Sequence, residues 1–128
     1  MGSFVFFLRV STQKQSIESQ YDEMLRFAQT YYNINESDVI RIEYKESGRT
    51  LSEEERAGIT DFKKLYESGT EITACFVSEL SRIARKANIT HNFTEYLHER
   101  GIQLICKNPH FELLDANKVK TATASLTL

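Results

Sequence analysis

The sequence predicts an α/β domain built on a mainly parallel sheet of four to five strands with helices on both faces. Apolar runs rich in β-branched and aromatic residues alternate along the chain with segments whose apolar residues recur every three to four positions. Strands that alternate with helices pair in parallel through crossover helices. The chain of 128 residues is long enough for one domain and too short for two. At this size about two-thirds of the unfolded chain's surface is buried on folding, so a core can form without disulfides or metal.

The first strand is the run Ser3 to Val10, whose aromatic and branched residues suit burial on both faces. A polar exit, Ser11 to Ser16, leads into a helix carrying Ile17, Tyr21, Met24, Leu25, Ala28 and Tyr32 as one stripe, closed by Asn33 to Ser37. Val39 to Tyr44 reads as the second strand and Glu46 to Thr50 as a loop. Ser52, with Glu55 three residues on, carries the capping-box signature of a helix start; Ile59, Phe62, Leu65 and Tyr66 form that helix's stripe and Gly69 ends it. Ile72 to Val77 is the third strand. A helix with Ile89, Phe93, Tyr96 and Leu97 on one side stops at Gly101, Ile102 to Cys106 is the fourth strand, and Asn108-Pro109 is a turn. From Asp115 a helical pattern (Val119, Ala122, Leu126) runs to Leu128 with no cap or glycine, so the chain reads as cut inside a helix.

Composition narrows the function. With 16 Lys+Arg against 18 Asp+Glu and a net charge of −2, the domain does not coat nucleic acid through its overall field, so any DNA contact needs a local arginine cluster. No apolar run approaches membrane-spanning length, and no signal peptide is recognisable. Cys75 and Cys106 lack CxxC spacing and read as reduced core residues. No phosphate-cradling glycine loop and no HExxH motif occur, and His91, His98 and His110 read as solvated helix and loop residues rather than zinc ligands. Met24 reads as core.

Parallel sheets place their sites at the C-terminal ends of the strands. After the first strand come Arg9, Ser11, Gln15 and Gln20; after the third comes Ser78-Glu-Leu-Ser-Arg-Ile-Ala-Arg85. Arg56 sits in the first turn of the second helix, where positive partial charge favours acids, and an anionic ligand such as phosphate would account for it. Arg82 and Arg85 are three apart; on a helix they share a face and can grip one anion, although such a pair is equally consistent with a solvated face. Taken singly, Ser11 reads as a turn or cap residue and the two glutamines as surface polars.

Together these segments resemble the catalytic domain of the serine recombinases, the resolvases, invertases and serine integrases. Arg9-Val-Ser-Thr-Gln-Lys-Gln-Ser-Ile-Glu-Ser-Gln20 is similar to the family's opening signature, Glu46-Ser-Gly48 with Glu55-Arg-Ala-Gly-Ile59 to its second block, and Ser78 to Arg85 to its arginine motif. Three blocks in the right order over nearly the whole chain make a specific signal. The resemblance implies site-specific recombination in which Ser11 attacks a DNA phosphodiester, takes up the 5′ phosphate and releases a 3′ hydroxyl, without cofactor or metal. It further implies that Arg9, Arg56, Arg82 and Arg85 neutralise the charge that grows on the phosphate, with Gln15, Gln20 and Ser81 in support. Also implied are DNA as partner, a homo-oligomer passing from dimer to tetramer in the full-length protein, a cytoplasmic bacterial or mobile-element setting and no membrane. On the same basis residues 1–128 form one catalytic domain cut within its C-terminal interface helix, lacking the DNA-binding domain, and inactive alone.

Two departures stand out. Many members carry an aspartate directly before the arginine at 82, where this chain has Ser81, and Glu79 lies two residues earlier; Phe7 replaces a common tyrosine. The substitution at 81 motivates an alternative, a catalytically inactive recombinase-like oligomerisation module, which the intact Arg9, Ser11, Arg82 and Arg85 oppose. A phosphoacceptor receiver domain requires acids where the chain reads Arg9-Val-Ser11 and Ser78-Glu79.

Overall fold

The computed structural model describes residues 2–10, 16–45, 51–84 and 86–127, without the side chains of residues 10, 44–45, 51–56 and 126–127. Its five strands, β1 (Ser3–Val10), β2 (Val39–Lys45), β3 (Ile72–Val77), β4 (Gln103–Cys106) and β5 (Phe111–Glu112), lie in the order β2-β1-β3-β4-β5. The first four are mutually parallel and β5 is antiparallel to β4. This is the predicted mainly parallel sheet.

Alternation along β1 divides the core in two. Val5 and Phe7 face one side with Cys75, Val77, Leu104 and Cys106; Phe6 and Leu8 face the other with Ala74, Phe76 and Ile105. Helix α1 (Ile17–Tyr32) covers the second face through Ile17, Tyr21, Met24, Phe27 and Ala28. Helices α2 (Leu51–Glu67) and α3 (Ala87–Glu99) cover the first through Phe62, Phe93 and Leu97, with Ala124 of α4 (Ala122–Thr127) beside them. Phe7, Phe62 and Phe93 meet ring to ring at centroid distances of 5.3 to 5.9 Å, so one aromatic contact joins β1, α2 and α3. All four β1 side chains from Val5 to Leu8 are at most 1% exposed, as expected of a strand buried on both faces.

Helix ends follow from local chemistry. Ser16 Oγ accepts the Ser19 amide at the start of α1, and Asn33 closes it in the left-handed conformation. Gly101, at φ +67°, ends α3, with the Ile102 amide reaching back to the Leu97 carbonyl. Helix α2 already includes Leu51 and Ser52, so Ser52 is not its cap; the preceding residue, Thr50, is outside the described residues.

The C-terminal expectation needs a larger correction. No helix starts at Asp115. Its Oδ1 accepts the amides of Asn117 and Val119, Lys118 takes a positive φ of 64°, and Leu114 bridges to Lys120. An aspartate offering its own backbone a turn outcompetes the helix there. Helix α4 begins seven residues later, where Thr121 Oγ1 accepts the Ala124 amide, and Val119 is 56% exposed rather than part of a buried stripe. His110 is also more than a solvated loop residue. Its ring lies 5.2 Å from that of Phe27 and its Nε2 is 2.9 Å from the Tyr32 hydroxyl.

Cys75 and Cys106 are buried and form no disulfide. Among the described residues no helix is long and apolar enough to cross a membrane.

Two measurements test this packing. Phe93→Ala should lower unfolding stability in denaturant by about 3–5 kcal/mol, while Val119→Ala should change it by no more than about 0.5 kcal/mol. Tyr21 supplies the second. Burial, reinforced by its hydrogen bond to Glu36, pushes its phenol from 10.0 up to about 12. The folded state therefore holds this proton more tightly than the unfolded chain. Its contribution is whole below pH 10 and vanishes as pH rises through about 12, so Tyr21→Phe should flatten the alkaline unfolding curve in that window.

Candidate active site

The chain leaves β1 for α1 on one face of the sheet, and leaves β3 for α3 on the other. Between the C-terminal ends of these neighbouring strands the connections diverge, which is where an open α/β sheet opens a crevice. A cleft of about 140 Å³ lies there, floored by Phe7, Leu8 and Met24 and rimmed by Gln20, Glu23, Ser78, Glu79, Arg82, Lys107 and Asn108.

Arg9, 5% exposed, ties the two strand ends together. Its Nη1 donates to the Ser81 carbonyl at 3.0 Å across the crevice. Its own carbonyl accepts Gln20 Nε2 from α1 at 2.7 Å and Arg82 Nη1 at 3.1 Å. A guanidinium so deeply buried costs several kcal/mol in desolvation unless its donors are met, and Nη1 meets a backbone acceptor here.

Arg82 ends a 3-10 turn, Leu80–Arg82, which the chain enters through an extended Glu79. Buried Ile83 and Ala84 anchor the turn's exit, with Thr90 Oγ1 donating to the Ala84 carbonyl. The Arg82 Nε donates to Ser78 Oγ at 3.3 Å, and its Nη2 lies 3.7 Å from Glu79 Oε1. Ser81 contributes to Arg9 through its carbonyl, while its hydroxyl donates to Glu79 Oε2 at 3.3 Å.

Arg9, Gln20, Ser81 and Arg82 thus converge. Arg82 lies in the 3-10 turn Leu80–Arg82 and α3 starts at Ala87, while Arg85, on which the shared anion grip with Arg82 depends, lies outside the described residues. Ser11, Gln15, Arg85 and the Arg56 side chain lie outside the described residues.

Lys107 and Asn108 were not singled out by sequence, although they follow β4 at the same sheet edge and their position after a parallel strand was the available signal. Lys107 Nζ stands 3.9 Å from Glu23 Oε2. Cys106 lies behind this rim, with its Sγ 3.6 Å from the Asn108 carbonyl, and burial pushes its thiol above the ordinary 9.0. It stays protonated near neutrality and is a poor nucleophile. Among the described residues no group of three His, Cys, Asp or Glu could hold a metal ion.

The described residues thus bring two arginines, Arg9 and Arg82, together at the C-terminal ends of β1 and β3. Residues 4–125 match the family described as Resolvase, N terminal domain, and the chain belongs to that family. Membership places it among the site-specific DNA recombinases. The fold is shared with the N-terminal catalytic domain of TP901-1 integrase, at a TM-score of 0.69 and 22% identity over 98% of this chain and 87% of that one. It is also shared with a resolvase family site-specific recombinase from Streptococcus pneumoniae, at a TM-score of 0.62 and 23% identity over 98% and 83% of the two chains. No curated protein sequence matches the chain.

The shared acceptor yields a test of the site. Gln20→Ala and Arg82→Ala should each cost about 1 kcal/mol, since either leaves the Arg9 carbonyl one side-chain donor. The double variant should exceed the sum by about 0.5–1 kcal/mol in a denaturant double-mutant cycle, because the carbonyl then loses both.

Proposed function

We propose that this domain cleaves and rejoins DNA through a covalent 5′-phosphoserine on Ser11. The observation that carries the reading is the convergence of Arg9 and Arg82 at the end of β1. Ser11, which lies outside the described residues, follows Arg9 by two positions in the sequence.

In the reaction, Ser11 Oγ forms a bond to the phosphorus of a DNA phosphodiester and the bond from phosphorus to the 3′ oxygen breaks. Across the step the serine gives up its proton and the departing 3′ oxygen takes one up, so the products are a phosphoserine diester and a free 3′ hydroxyl. One phosphodiester replaces another, so the reverse attack by a 3′ hydroxyl restores intact DNA without ATP. In the transition state charge grows on the phosphate oxygens, and the permanently charged guanidiniums of Arg82, Arg9, Arg56 and Arg85 stabilise it. Gln15, Gln20 and Ser81 orient these groups, Gln20 by its bond to the Arg9 carbonyl and Ser81 by accepting from Arg9 through its own carbonyl.

Rejoining to new partners requires several subunits around two DNA sites, so the domain works as part of a dimer that pairs into a tetramer in the full-length protein. Residues 1–128 then form one catalytic domain that depends on a further DNA-binding domain to choose its site, and the domain by itself binds DNA weakly and without useful sequence preference.

The test is covalent trapping. On DNA carrying its recombination site, the full-length protein should form a denaturation-resistant adduct at the 5′ end of the break, visible as a shifted band on a denaturing gel. Ser11→Ala should abolish the band and Arg82→Ala should slow its appearance by about 10²–10³-fold. An undiminished adduct in Ser11→Ala contradicts the assignment.

A further inference from the structure

We propose that Glu79 is the positioning residue of Arg82, its carboxylate braced by Ser81 so that the guanidinium faces the crevice in a fixed plane. The inference rests on the reading of Arg82 as a phosphate-binding group.

The three nitrogens of the Arg82 guanidinium each meet a different anchor. Nε meets Ser78 Oγ at 3.3 Å, Nη1 the Arg9 carbonyl at 3.1 Å, and Nη2 Glu79 Oε1 at 3.7 Å. A rigid planar fork held by two hydrogen bonds and drawn to one carboxylate has its orientation set as well as its location. Glu79 is the one charged partner of the three. It is aimed there by the extended backbone before the turn, at φ −149° and ψ 156°. Its other oxygen, Oε2, accepts the Ser81 hydroxyl at 3.3 Å. Ser81 therefore does not stand in for an acid beside Arg82; it steadies the acid two residues earlier.

This arrangement separates positioning from stability. The Glu79 side chain is 51% exposed, and an ion pair so open to water contributes little to folding. A carboxylate on the rim also repels an incoming phosphate. Removing its charge should leave DNA binding unchanged or tighter while slowing the chemical step, a split that a scaffolding role does not produce. Misplacing one catalytic cation by about 1 Å can cost up to about 10²-fold in rate.

The experiment measures single-turnover adduct formation at saturating site DNA for the full-length wild type, Ser11→Ala, Glu79→Gln, and the double variant Glu79→Gln with Ser81→Asp. Glu79→Gln should be about 10- to 100-fold slower with unchanged melting temperature and unchanged or tighter DNA affinity. The double variant should recover most of the rate, because the side chain at 81 already meets the Glu79 carboxylate. A Glu79→Gln rate equal to wild type, or a loss that Ser81→Asp leaves unrepaired, overturns the proposal. If the wild type forms no adduct, or Ser11→Ala still does, the nucleophile reading fails instead. Positioning is then decided on residues 1–128 by the ¹⁵N signals of the Arg82 guanidinium. Hindered Nη rotation in the wild type that is lost in Glu79→Gln supports it, and indistinguishable signals overturn it.

Discussion

The architecture of the site depends on the way Arg9 ties the end of β1 to the turn after β3. Its guanidinium reaches the Ser81 carbonyl while its own carbonyl receives Gln20 and Arg82. One residue is therefore donor and acceptor across the same crevice, and α1, β1 and the 3-10 turn cannot shift independently. Buried polar networks of this kind are costly when half satisfied and rigid when complete. The sheet supplies the rigidity beneath it. Phe7 is locked between Phe62 and Phe93, and Leu8 packs on the α1 face, so β1 delivers Arg9 from a strand held on both sides.

Arginine suits this role for reasons a lysine cannot match. Its fork meets several acceptors at once and still presents donors in a fixed plane, and it stays charged when buried. Among the described residues Arg82 meets Ser78 Oγ, the Arg9 carbonyl and Glu79 at 3.1 to 3.7 Å, and its side chain is 26% exposed. A cation preorganised in this way stabilises charge that develops during reaction without reorganising first. With a net charge of −2, the chain leaves any attraction to DNA to a local cluster of cations.

Much of the fold was legible in the sequence because its signals are periodic. The apolar run of β1, the stripe from Ile17 to Ala28 and the glycine at 101 each specify one local structure, and the observed elements agree. What was not legible depended on competition between local options. Asp115 has a side chain that can cap a turn, and that turn displaced the helix the apolar spacing suggested. Arg82 itself sits in a 3-10 turn ahead of α3, a short irregular element that apolar periodicity does not mark. The convergence of Arg9, Gln20, Ser81 and Arg82 was anticipated from strand-end positions and resemblance. Its detailed wiring was not, because a main-chain carbonyl as shared acceptor leaves no mark on residue identity. Lys107 and Asn108 reach the crevice only through the β3–β4 pairing, a long-range fact that no short motif encodes.

The most direct measurement is a structure of the full-length protein trapped on its DNA site. The account predicts the reacting phosphate in the crevice between the ends of β1 and β3, bonded to Ser11 Oγ and about 3 Å from nitrogens of Arg82. A phosphate bound on another face, with no nitrogen of Arg82 near it, would contradict it.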